Sequence, residues 1–356
     1  MIGWRLTVND RPLKLKSYIT DCEGPISLND NALELTAEFI PGGDSFYAKI
    51  SRYDDYLADV AHKPGYKAGD TLRLILPFLK AYGVTGRMMA DFSADHVDLV
   101  PDAAAALAEI GAGMDTFIIS TSYAPYVKAL CELVGVPFSS AYCTAVDIDA
   151  YLLDEADAAP VRAIKDRLDG LPEFDLPPGV TKYEELPADT KKAIGELDRV
   201  FWDELPGMRA GVLLTAADPV GGAGKARALE DALLRTGQSM SDIIYVGDSI
   251  TDVQALRAVS DGGGLAVSFN GNRYAVEAAD VAMAGTSVMG LVPLAKAFLD
   301  GGKKGVCVLL DDLTQNIMND TKLREAAVID ETNRESLIAI SEAVRREIRG
   351  KAGNIG

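Results

Sequence analysis

The sequence predicts an α/β fold built on a parallel sheet, because apolar runs ending in Asp, Ser or Gly recur along the chain and each is followed by a stretch of helical period. The clearest repeats are 17–21 then 31–40, 115–120 then 125–134, and 242–248 then 252–259. In such sheets the active site lies beyond the carboxyl ends of the strands, so chemistry is to be sought where these runs end.

Taken in order, the first apolar run is SYIT, which ends at Asp21. From about 39 to 100 the rhythm breaks into a segment rich in tyrosine and charge, including SFYAKISRYDDYLADV, that reads as mainly helical. The run MDTFIIS then restores the strand pattern and ends at Ser120. A second interruption from about 148 to 208 carries acidic helices separated by LPEFDLPPGV, whose prolines and glycine break regular structure, and it reads as a surface subdomain. After DIIYVGD the pattern resumes with LAVSFNGN, ADVAM and a helix from about Val288 to Leu299. Residues 301–356 read as a charged helical extension.

Composition narrows the function. The 356 residues carry 53 acidic and 35 basic side chains, a formal charge of −18, which repels nucleic acid and anionic membrane surfaces. No signal-like segment and no run of about 18 uncharged apolar residues occurs, so no membrane insertion is expected. Cys22, Cys131, Cys143 and Cys307 lack CxxC spacing, which argues against a zinc site or a disulfide framework and for a reducing, cytoplasmic compartment. With only His62 and His96 present, catalysis would run on carboxylates and a lysine.

Four stretches could carry that chemistry. In DCEG, Asp21 ends a strand and Glu23 follows two residues later, a spacing that can supply nucleophile and acid/base from one loop; the same residues also suit an acidic turn closed by Gly24-Pro25. In VGDSITD, Asp248 and Asp252 lie on one side of a starting helix. They suit a hard cation such as Mg²⁺, which takes oxygen ligands, although Ser249 and Asp252 could equally serve as helix caps. Ser120, Thr121 and Ser122 end a strand, where hydroxyls and N–H groups can bind phosphate oxygens or simply cap a helix. In DPVGGAGKA, Lys225 opens a helix after a glycine-rich turn, but Pro219 and Ala226 exclude a P-loop. No GxGxxG follows a strand, and the segment from Gly247 ends in Thr251 rather than Gly, so dinucleotide and serine-hydrolase motifs are absent.

Asp21-Cys22-Glu23-Gly24, Ser120, Lys225 and Gly247-Asp248-Ser249-Ile250-Thr251-Asp252, in that order, resemble the four motifs of the haloacid dehalogenase (HAD) superfamily. The resemblance implies a Rossmann-like parallel core made of 1–38, 101–147 and 209–300, a helical cap at 39–100 and a second, smaller insertion at 148–208. It further implies a Mg²⁺-dependent phosphatase acting on a small phosphorylated metabolite through an aspartyl-phosphate on Asp21. Within it, Asp21, the Glu23 carbonyl, Asp248 and Asp252 would serve the metal, Ser120 a phosphoryl oxygen, Lys225 charge neutralisation and Glu23 acid/base transfer. Glu23 departs from the family's Asp by one methylene. Thr121 and Ser249, with Arg52 and Tyr53 from the cap, complete the expected substrate-binding set. A phosphomutase and a non-catalytic member docked to a protein complex are the alternatives. The opening segment and GYKAGDTLRLILPFLKAYG also look like an archaeal group catalogued as subunit R of energy-converting hydrogenase A.

Overall fold

The computed structural model describes residues 7–8, 11–12, 14–177, 179–314, 322–350 and 352–354. A seven-stranded sheet forms from β1 (Ser17–Thr20), β2 (Asp115–Tyr123), β3 (Ala141–Thr144), β4 (Ile243–Gly247), β5 (Leu265–Phe269), β6 (Val281–Gly285) and β7 (Leu323–Val328). The spatial order is β3-β2-β1-β4-β5-β6-β7. All neighbours are parallel except β6 and β7. Every residue of β1, β4, β5 and β6 is buried, as helices on both faces of a parallel sheet require.

Strand order reverses direction at β1 and β4, which lie side by side with Tyr18 opposite Ile244. This is the crevice in which α/β sheets place their ligands. On one face Tyr18, Ile118 and Val246 pack with α5 (Ala103–Gly113), α6 (Ala124–Val134) and α12 (Leu291–Thr314, kinked at Gly302). On the other, Ile19, Ile119 and Tyr245 pack with α9 (Ala223–Thr236) and α10 (Val253–Asp261).

The segment after β1 is helical, with α1 (Asn31–Phe39), α2 (Gly43–Asp55), α3 (Thr71–Ala81) and α4 (Gly86–Asp95). The later insertion contributes α7 (Glu155–Asp169) and α8 (Ala188–Asp198). Far from forming a separate surface unit, it shares one apolar core with the first: Ile50, Tyr53, Leu76 and Phe78 pack against Ile164, Leu168, Ile194 and Phe201. Lys49 reaches across to cap the end of α7, its Nζ donating to Leu168 O at 2.9 Å and Leu171 O at 3.0 Å. Emptying the Phe201 site by Phe201→Ala would cost about 3–5 kcal/mol.

The C-terminal extension is not wholly helical. Residues LREAAV form β7, which pairs antiparallel with β6 through Met283 opposite Ala326 and buries Leu323 and Ala326. The segment's charges obscure this strand because only one side of an edge strand is paired and covered. After β7 the chain returns as α13 (Arg334–Arg349), which packs against α11 (Arg273–Ala278) and whose buried stripe includes Leu337, Ile338, Ser341, Val344 and Arg345. Among the described residues no helix is long and apolar enough to cross a membrane.

Candidate active site

The ends of β1 and β4 bring the first and last sequence motifs together. Asp21 continues the sheet ladder, its N–H donating to Val246 O at 2.8 Å. The next turn needs Gly24, whose φ is +98°; an added Cβ would lie 2.1 Å from Asp248 Oδ2. Gly247 is equally confined, because a Cβ there would meet Asp252 Cγ at 2.5 Å. Gly24 thus lets the Asp21 loop close on Asp248, and Gly247 lets Asp252 fold back within its own loop.

Asp21, Asp248 and Asp252 are all buried and each offers an oxygen within 4.8 Å of the others. Lys225, fully buried at the start of α9, stands between two of them at 2.5 Å from Asp21 Oδ2 and 2.8 Å from Asp252 Oδ1. The remaining bonds fix each carboxylate. Cys22 N donates to Asp21 Oδ1 at 2.7 Å, Tyr245 OH to Asp252 Oδ1 at 2.7 Å, and the Asp248 and Ser249 N–H groups to Asp252 Oδ2 at 3.1 and 3.2 Å.

The electrostatics follow from this packing. Burial, then repulsion from Asp252, pushes the Asp21 carboxyl up to about 8, with Lys225 acting against both. Burial would raise Asp252 too, but its ion pair with Lys225 holds it below the usual carboxylate range. Burial alone would lower the Lys225 ammonium, and its two carboxylate partners more than reverse this. An all-oxygen donor set with clustered carboxylates fits a hard divalent cation, whose charge would relieve the repulsion.

Glu23 lines the same pocket. Its Oε1 accepts from Asn31 N at 2.8 Å at the start of α1, and burial followed by the nearby Asp30 pushes it up to about 8. Thr121 and Ser249 also line the pocket, whereas Ser120 sits behind it, buried, with its Oγ accepting from Ser122 N at 3.1 Å.

Two residues expected to bind substrate lie elsewhere. Tyr53 is fully buried in the insertion core, its OH bonding Asp198 at 2.5 Å and accepting from Trp202 Nε1 at 2.7 Å. Arg52 pairs with Asp175 at the surface. The helical period explains the error: the face of α2 that reaches the pocket is Tyr47, Ser51, Asp54 and Asp55, about 100° away from the one carrying Arg52. Asp54 is pushed up to about 7, chiefly by burial, and accepts from Gly69 N at 2.9 Å and Thr71 N at 3.1 Å.

The loop so held is pressed onto the core. A Cβ on Gly69 would stand 2.7 Å from Thr121 Cγ2, and one on Gly221 would stand 2.2 Å from Ala68 O. The remaining wall comes from α13, where Arg345 and Arg349 face Asp248. Sequence reading missed both. The available signal was two arginines four apart on the helix's apolar stripe, a position that a solvated charge does not occupy.

No family model and no curated protein matches the sequence. Among solved structures, a gene product of Archaeoglobus fulgidus is similar over 96% of this chain and 99% of its own, with 27% identity and a TM-score of 0.83. A phosphoserine phosphatase solved as a phospho-aspartyl intermediate analogue aligns over 76% of this chain and 93% of its own at 13% identity and a TM-score of 0.46. A HAD family hydrolase from Salmonella enterica serovar Typhi aligns over 74% and 66%, at 15% identity and a TM-score of 0.44.

Proposed function

We propose that the chain is a HAD-type phosphohydrolase that cleaves a small phosphate monoester through an aspartyl-phosphate on Asp21, with Mg²⁺ as cofactor. The observation that carries this reading is the convergence of Asp21, Asp248 and Asp252 around Lys225 at the ends of β1 and β4. Asp21, Asp248 and the Glu23 backbone carbonyl would hold the ion, with Asp252 in support. The ion would supply positive charge to a phosphate and its attacking carboxylate.

The chain's own groups account for the rest. Asp21 is held from both oxygens, by Cys22 N and by Lys225, so its carboxylate is oriented before substrate arrives. Lys225 offsets the repulsion between that carboxylate and an incoming phosphate dianion. Thr121 and Ser249 lie on the pocket wall as donors to phosphoryl oxygens. Glu23, whose proton is held up to about pH 8, gives it to the departing alkoxide as the bond from phosphorus to the ester oxygen breaks. The resulting carboxylate then takes a proton from the water that attacks the aspartyl-phosphate, which regenerates Asp21 and releases inorganic phosphate.

The test is phosphate release from a panel of small monoesters, measured with and without Mg²⁺ and in Asp21→Asn. Turnover that needs the metal and is lost in the variant supports the reading. A second reading, a non-catalytic accessory protein, is favoured by the arginine pair already engaged on Asp248. It prevails if no ester is turned over and the purified protein retains a partner.

A further inference from the structure

The contacts of α13 go beyond packing. Arg345 Nη1 is ion-paired with Asp248 Oδ2 and also donates to Asp248 O at 3.2 Å, while Arg349 Nη1 lies 3.0 Å from the same Oδ2. Both guanidiniums are almost wholly buried, with side-chain exposures of 3% and 4%. One carboxylate oxygen therefore carries two cations, although a single guanidinium already neutralises a carboxylate.

Lys225 is shared by Asp21 and Asp252, and Arg345 and Arg349 both stand on Asp248, so each of the three clustered aspartates already has a cationic partner. At Asp248 in particular, the carboxylate oxygen that would face a metal is already taken by two guanidiniums. A divalent cation brought to Asp248 would face two buried guanidiniums where neither water nor salt screens the repulsion.

We infer that Arg345 and Arg349 compete with a divalent cation for Asp248, so that cation binding and docking of the C-terminal helix α13 oppose each other. The inference rests on the proposed reading of the aspartates as a cation site. Docking is well suited to being weakened in this way. The apolar cluster beneath α13 is small, with Val276, Ala282, Leu337 and Ile338 at its centre, and the Arg273–Glu335 ion pair that also holds the helix is at the surface. Arg349 also donates from Nε to Leu28 O at 2.9 Å, which ties α13 to the loop following Asp21. Release of the pair would therefore loosen the pocket wall on two sides.

The experiment is a calorimetric titration of the full chain with Mg²⁺ alone, beside hydrogen–deuterium exchange over 334–349 with and without Mg²⁺. Arg345→Gln and Arg349→Gln should each bind Mg²⁺ about tenfold more tightly than wild type, and Arg349→Lys, which keeps the charge, within about threefold of it. In the wild type, exchange in α13 should rise as Mg²⁺ saturates, a readout that needs no variant to fold. Unchanged or weaker binding in both glutamine variants, or α13 equally protected with and without Mg²⁺, overturns the competition and leaves the cation site standing. Absence of Mg²⁺ binding in wild type and variants alike overturns the cation site itself, and the competition with it.

Discussion

Lys225 donates to Asp21 from a position with no solvent exposure, 2.5 Å from Oδ2, while the same ammonium holds Asp252 at 2.8 Å. Removing it leaves two carboxylates buried without their shared counter-ion. Lys225→Met should therefore lower stability by about 3–5 kcal/mol and abolish phosphate release, read by urea unfolding and by a phosphate assay. A variant with wild-type stability would show that the lysine is not the counter-ion of this site.

Glu23 holds the start of α1 and, in the proposed mechanism, exchanges a proton, and substitutions separate the two. Glu23→Gln keeps an oxygen for Asn31 N, so stability should stay within about 0.5 kcal/mol, but it has no proton to exchange and turnover should fall by about 10²–10⁴. Glu23→Asp shortens the reach to α1 and should cost about 1 kcal/mol through the lost cap. Thermal unfolding and steady-state kinetics on both variants check the two effects.

Tyr47 and Tyr53 differ by six positions on α2 and point into different surroundings. Tyr53→Phe loses the bonds to Asp198 and Trp202 and should cost about 1 kcal/mol of stability with KM unchanged. Tyr47→Phe alters the pocket wall and should raise KM by about threefold to tenfold at nearly constant stability. A KM effect at Tyr53 would mean that the insertion core is coupled to substrate binding.

The acidic face of α2 sets a pH dependence. Burial pushes Asp54 and Asp55 up to about 7 and about 8, with lesser repulsion from Asp70 on Asp54 and from Asp54 and Asp59 on Asp55. Both carboxyls hold their proton more tightly folded than unfolded. Their favourable contribution is therefore complete below the unfolded value of 3.8 and is lost as pH rises through about 7 to 8. Stability should fall from about pH 4 to about pH 8 and level off above, and Asp55→Asn, which removes one titrating group, should recover about 1 kcal/mol at about pH 9 after screening is allowed for. Melting curves against pH for the two proteins test this.

The fold's centre was legible because burial leaves a strong local trace. The runs SYIT and IIYVG, each leading into an aspartate, mark β1 and β4, and Gly24 marks where the two loops approach. Lys225 was legible as a cation at a helix start, though its pairing with Asp21 is a long-range fact. What stayed hidden depends on partners distant in sequence. Arg345 meets Asp248 across 97 positions, and neither segment alone says that they touch. The orientation of α2 was misread for a related reason: tyrosine and arginine suit either a pocket or a core, and only the neighbouring α8 decides that Tyr53 belongs to the core. Strand β7 was obscured because one paired edge imposes a weaker pattern than two buried faces.

The close approach of residues 68–69 to Gly221 and Thr121 carries a kinetic consequence. At Gly221 the contact is main chain against main chain, so nothing there can swing aside, whereas at Gly69 the neighbour is the Thr121 methyl. A methyl group added at Gly221 would therefore wedge residues 68–69 away from the core and admit water beside the proposed nucleophile, whose attack is favoured by a dry pocket.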